Sequence, residues 1–220
     1  KEMWAIVQRD IKGTWQFVRR DRRLYLALLR VSVISVLLLV IGELAPVFVQ
    51  HILGLPPDDL TLLFAPAGVG LVLGGLLMPL LTRYLNKSLI VTLGFILSAA
   101  GLILLPASQI VTRHVQFLQP WSLFIVGALA FILGFALDMV NIPAQTILQE
   151  RSPEEERGRV LSFQFMLYNA CSIPVLLFAG LIGQLLGISI IMYILGGAIL
   201  LFQWWATHYK LASEKTTTTL

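Results

Sequence analysis

The sequence predicts an all-α membrane protein of six transmembrane helices, arranged as three plus three in an inverted-topology repeat, and three observations carry that prediction. Hydrophobic residues make up 57% of the 220 and charged residues only 13%. The mean hydropathy is +0.84, well above that of a soluble domain of this length. Six apolar segments each approach the ~20 residues that a helix needs to cross the hydrocarbon core. Finally, of the sixteen Lys and Arg residues only Arg113 falls on one of the two sides that these segments alternate between. A missed or invented helix would scramble that asymmetry, which also makes the other side cytoplasmic.

Residues 1–23 are basic and amphipathic, with Trp4, Val7, Ile11, Trp15 and Val18 recurring at helical spacing. Two tryptophans on an apolar stripe, with arginines opposite, suit a helix lying in the headgroup region, so we expect a cytoplasmic amphipathic linker there. The transmembrane unit covers 24–207, with spans near 25–49, 60–82, 87–106, 121–148, 160–185 and 188–207. The connections at 51–59, 107–120 and 186–187 share the outer side. Those at 83–86 and 149–159 share the cytoplasmic side with both termini, and 208–220 forms a polar cytoplasmic tail.

Few polar groups interrupt the spans, and those few are the candidate site. Glu43 stands past the middle of the first span and is followed by Pro46; Asp138 stands past the middle of the fourth and is followed by Pro143. Each is in the first span of a set of three, and the two spans run in opposite directions, as in an inverted repeat of a transporter fold. A carboxyl group in low dielectric can bind and release a proton near working pH, which makes both acids candidates for a proton or cation site. The competing reading is a hydrogen-bonded acid stitching two helices together. Asn141 and Gln145 extend a polar stripe from Asp138 along one helix face. Asn169, with Ser172 and Pro174 and with Gln164 and Tyr168 nearby, forms a second polar patch on the fifth span that is expected to border a cavity. Arg30 is expected to snorkel to the headgroups. Gly70-x-x-x-Gly74 offers a small-residue surface for close helix approach, as do Gly180, Gly183 and Gly187 in the fifth span.

Several function classes are excluded. The lone Cys171 permits no disulfide framework or CxxC metal site, and His51, His114 and His208 form no ligand-spaced pair, so neither metal nor cofactor is expected. HExxH, GxSxG, P-loop and dinucleotide-loop signatures are absent, which argues against an enzyme. The net charge of +4 is spread beside apolar spans with no aromatic-interleaved patch, so a membrane surface fits better than nucleic acid. Nothing near Lys1 reads as a signal peptide, and the chain reads as a segment of a longer protein.

The stretch from Gly134 to Val160 joins the polar stripe to a charged loop in which Ser152-Pro153-Glu154-Glu155 suggests an N-cap, a proline in the first turn and acids behind it. Arg157 and Arg159 are placed to pin a neighbouring helix end through charge-assisted bonds. The run Asn141-Ile-Pro143-Ala144-Gln145-Thr146 leading to Pro153-Glu154-Glu155-Glu156-Arg157-Gly158-Arg159-Val160 resembles the segment joining the tenth and eleventh helices of major facilitator superfamily exporters. The closest likeness is to the macrolide-efflux and enterobactin-exporter-like group. Thr82-Arg83-Tyr84-Leu85-Asn86-Lys87 is similar to the degenerate gating motif between helices eight and nine. Arg83 and Lys87 match its basic positions, whereas Thr82 replaces the acid and Leu85 the glycine.

The resemblance implies that the chain is the C-terminal half, helices seven to twelve, of a twelve-helix carrier in the bacterial cytoplasmic membrane, partnered by an N-terminal six-helix half. Its implied activity is proton-coupled export, by antiport and alternating access, of small amphipathic molecules such as drugs or siderophores. On that reading Glu43, Asp138, Asn141, Gln145 and Asn169 form the proton and substrate pathway, and Arg83, Lys87, Arg157, Gly158 and Arg159 the cytoplasmic gating loops. Two rival readings are a complete six-helix channel and a non-transporting membrane interaction subunit. An aquaporin-like pore would need two Asn-Pro-Ala loops, and the single Asn141-Ile-Pro143-Ala144 carries an extra residue.

Overall fold

The computed structural model describes residues 13–114 and 121–217. Those residues form six long helices: α1 (Arg22–Phe48), α2 (Thr61–Tyr84), α3 (Lys87–His114), α4 (Ser122–Arg151), α5 (Glu154–Leu186) and α6 (Ile188–Thr217). All six contain a stretch apolar and long enough to cross a membrane. The predicted fold class, all-α with six spans, is what the chain adopts.

Most of the helices outrun the spans read from hydropathy. α5 begins at Glu154, six residues before Val160, because three glutamates in the first turn complement the positive end of the helix dipole in water. The predicted charged loop thereby shrinks to residues 152–153. Ser152 is not an N-cap; its hydroxyl donates to the Leu148 carbonyl at 2.7 Å and closes the end of α4 instead. α3 runs through Pro106 to His114 and α6 runs on to Thr217, so the expected polar tail starts as helix. At its far end α1 passes into a π-turn, Val49–Leu53, where the Val49 N–H is shared between the carbonyls of Ala45 and Pro46. Pro46 therefore widens the helix more than it breaks it. Gly54 closes the π-turn at φ +68, and Gly187 makes the one-residue turn between α5 and α6 at φ +87. Both conformations are ones that a side chain resists.

Of the linker, residues 13–20 are described and helical, while Trp4, Val7 and Ile11 lie outside the described residues. The two described residues of the stripe, Trp15 and Val18, pack against protein. Val18 is buried with Leu24, Leu28, Leu148, Val160 and Phe163, and the Trp15 ring packs edge-on to Tyr25 and tilted on Phe163, each at 5.8 Å. These two side chains seal the junction of α1, α4 and α5, since burial against protein competes with burial in the headgroup layer.

α4 packs against α1, α2 and α3, and α1 packs against α4, α5 and α6, while α3 and α6 meet behind them. Exchanging the first three helices for the last three maps α2-on-α4 to α5-on-α1 and α3-on-α4 to α6-on-α1, which is the pattern of an inverted repeat. The core is apolar, built from residues such as Ile34, Phe48, Phe95, Leu102, Leu133 and Met192. α2 and α5 stand at the edges of a row ordered α2, α4, α1, α5. Only 17% of the α2 span and 11% of the α5 span are buried, against 61% for α1. Their outward residues, among them Val72, Leu76, Phe165 and Leu177, are apolar.

Candidate functional site

The polar stripe of α4 begins at Asp138, whose position is set by two glycines of α2. A methyl group on Gly74 would stand 2.9 Å from the Asp138 Cβ, and one on Gly75 would stand 3.7 Å from its Oδ2. Any larger residue at Gly74 would push the acid aside. Asp138 is half-buried, and among the described residues nothing gives its carboxylate a hydrogen bond or an ion pair. An intramembrane acid left open in this way is poised to take its partner from elsewhere.

Glu43 is exposed on α1 and the structure does not pair it with Asp138. Asp21, just before α1, meets Arg151 at the end of α4 at 3.7 Å, so these helix ends lie level. Counting ~1.5 Å per residue from that contact puts Glu43 ~33 Å along the bundle and Asp138 ~20 Å along it. The acids are thus separated by ~13 Å in depth alone. Asp138 stands close to the mid-depth of the bundle, whereas Glu43 lies well toward the far end of α1.

Asn141 lines a cavity of about 290 Å³ between α1, α4 and α5, with Ser35, Gln164 and Tyr168 as its other polar walls. Gln164 is 5% exposed and its Oε1 has no hydrogen-bond partner. Gln145 is half-buried one turn beyond Asn141 and is not among the lining residues. Asn169, expected at the same cavity, is exposed; its amide donates to the Phe165 carbonyl of its own helix at 2.8 Å, satisfying itself locally as short amides do. Of the polar patch read from sequence on α5, it is Gln164 and Tyr168, not Asn169, that line this cavity. The better signal was Gln164, a long amide inside the apolar run Leu161-Ser-Phe-Gln-Phe-Met166, together with Ser35 facing it from α1.

The charged end of the bundle is knit differently from expectation. Lys87, at the start of α3, donates to both carboxylate oxygens of Glu150 at 2.7 Å, tying α3 to the end of α4. The Arg157 guanidinium reaches the Gln149 carbonyl at 3.4 Å and so touches the neighbouring helix end as predicted. Arg159 does not, because it pairs with Glu156 within α5 at 3.2 Å. Arg83 is exposed, and a methyl on Gly158 would meet nothing within 4 Å, so no close approach demands that glycine. The partner missed from sequence is Glu150. Arg30 does not snorkel; it is 6% exposed, buried between α1, α3 and α4.

A comparison with curated protein sequences gives no match. The Major Facilitator Superfamily, by contrast, matches residues 4–174, a stretch running from the linker into α5 that includes Asp138, Asn141 and the charged turn. Six apolar helices around an apolar core, with isolated polar groups inside the spans, are what a membrane carrier requires. The chain belongs to the Major Facilitator Superfamily of membrane transporters.

Proposed function

We propose that this chain is the C-terminal six-helix half of a twelve-helix secondary transporter that couples proton movement to export of small amphipathic molecules, in the manner of the macrolide-efflux and enterobactin-exporter-like group. The observation that carries the proposal is Asp138, an intramembrane carboxylate held over the α2 glycines with no partner among the described residues. Beside it, on the α1 and α5 side of α4, opens the cavity of Asn141, Gln164 and Tyr168. A coupling acid must be reachable by protons and by a competing charge or ligand, and a saturated acid would be neither. The apolar outer faces of α2 and α5 suit coverage by a second six-helix half. Fifteen of the sixteen cationic side chains, on or beside one flank, favour an orientation with both ends of this segment in the cytoplasm, and the likeness to the exporter group points to a bacterial cytoplasmic membrane.

On this reading Asp138 carries the coupling proton and Glu43 lies on the outer limb of the pathway, a division that the difference in depth supports. In the full-length protein in inverted membrane vesicles, Asp138→Asn is expected to lower proton-gradient-driven transport at least ~10-fold at unchanged expression, equivalent to ~1.4 kcal/mol or more. Glu43→Gln is expected to cost less. Undiminished transport in Asp138→Asn would remove this acid from the mechanism.

A further inference from the structure

Arg30 presents a problem that no described residue solves. The residue as a whole is 6% exposed, its Nε is buried without a hydrogen-bond partner, and no ion pair reaches the guanidinium among the described residues. An arginine does not escape such a position by losing its proton. A buried, uncompensated cation is strongly disfavoured unless an acceptor meets it. Arg30 also lines a cavity of about 440 Å³ at the charged end of the bundle, between the start of α1, the start of α3 and the end of α4. Arg23, Lys87 and Arg151 share its walls with Asn86, Glu150 is the one carboxylate among the lining residues, and Asp21 just outside the lining meets Arg151 at 3.7 Å, which still leaves the cations in excess. Lys87 already holds Glu150, so the acid is spent on a neighbour and offers nothing to Arg30. Because α1 and α3 begin at this cavity and α4 ends there, the backbone dipoles leave at most a small positive balance and the side chains set its sign. That sign is positive.

We infer that this cavity is a binding site for a phosphate-type oxyanion, with Arg30 as its floor and Arg23 and Arg151 as its rim. Guanidinium groups donate two parallel hydrogen bonds to a phosphate, which answers the stranded Nε directly. Exposed Arg23, Asn86 and Arg151 make the site reachable from the surface. A basic pocket between membrane helices at the headgroup level has the chemistry to take a phospholipid headgroup, and the same donors would hold free phosphate. The site is separate from the Asn141 cavity, and the inference holds whatever molecule is carried.

The test uses the full-length protein, stripped of lipid in detergent. In one arm inorganic phosphate is titrated against chloride at equal ionic strength; in the other, phosphatidylglycerol is compared with phosphatidylcholine in nanodiscs, bound lipid being counted by native mass spectrometry. Saturable binding of either probe is expected, at least ~10-fold weaker in Arg30→Gln and partly retained in Arg30→Lys. Binding of phosphate names a soluble anion as the ligand, whereas binding of phosphatidylglycerol alone names a lipid headgroup. If Arg30→Gln does not fold, the exposed double variant Arg23→Gln, Arg151→Gln replaces it, with weakened binding again expected. No binding of either probe to the wild-type protein, or equal binding by the wild type and whichever of these variants folds, overturns the inference.

Discussion

The seam between α2 and α4 and the seam between α1 and α5 occupy equivalent places in the repeat, yet one is closed and the other open. At the first, glycines bring backbones into contact: a methyl on Gly70 would run into the Phe131 carbonyl, and one on Gly134 into the Ala67 carbonyl. At the second, Val36, Val40, Tyr168, Val175 and Ala179 interleave side chain with side chain. They leave the polar cavity on one flank and an apolar cavity of about 340 Å³ on the other. Topology decides which helices meet; side-chain volume at the crossing decides whether they lock or leave room. Within a membrane, where apolar surface gains little by leaving lipid, that packing difference is most of what distinguishes a rigid contact from an adjustable one.

The sharpest way to break the contrast is to add volume to the closed seam. Gly134→Val would drive two methyl groups into the α2 backbone, a clash of more than the ~1–3 kcal/mol usual for overpacking. We expect loss of folded protein, measured as monodisperse yield by fluorescence-detected size exclusion. Gly180 on α5 serves as the counterpart, since a methyl there meets nothing within 4 Å. Gly180→Ala should fold as well as the wild type or gain about 0.5–1 kcal/mol from the helix backbone. If Gly180→Ala instead folds but stops transporting in the full-length protein, a covering helix contacts α5 at that point.

A smaller effect belongs to the open seam. The buried Gln164 Oε1 has no acceptor role to fill in the chain, and an unmet amide oxygen costs ~1–3 kcal/mol. Gln164→Leu keeps nearly the same volume and should raise the midpoint of thermal unfolding while lowering transport, a split that separates a site residue from a packing residue. A lowered midpoint would mean that the amide is structural and that the cavity wall is part of the core.

What the sequence made legible follows from which forces it records. Hydropathy records the hydrocarbon core, so the six spans and their alternation could be read directly. The helix ends could not, because α5 gains its first turn from the acids Glu154 to Glu156 in water, and α3 continues through Pro106. The Gly70 and Gly74 spacing announced a close approach but not its partner, since Gly134 carries no pattern of its own. Asp138 and Asn141 could be picked out as polar groups in grease, whereas the division of work between Asn169, which bonds its own helix, and Gln164, which lines the cavity, could not, because sequence does not show which amide satisfies itself locally. Arg30 was misplaced for a related reason. A long cation near a span end reaches for headgroups by default, and only the packing of α3 and α4 around it closes that route.

The least effect is expected where the two seams end, at the charged side. The α4 end is tied to α3 by Lys87 and Glu150 and to the start of α1 by Arg151 and Asp21, while the start of α5 meets α4 through the apolar cluster of Leu148, Val160 and Phe163 and the long Arg157 bond. The Lys87 side chain is 34% exposed and that of Glu150 57%, so water and salt screen the pair despite its 2.7 Å length. A double-mutant cycle with Lys87→Ala and Glu150→Ala in the full-length protein should return a coupling of ~0.2–1 kcal/mol that fades as ionic strength rises. That value would make the closed seam a product of its glycines, with the ion pair a minor trim at its end. A coupling above ~2 kcal/mol that resists salt would reverse this order and make the charges, not the backbone contacts, what holds α4 in place.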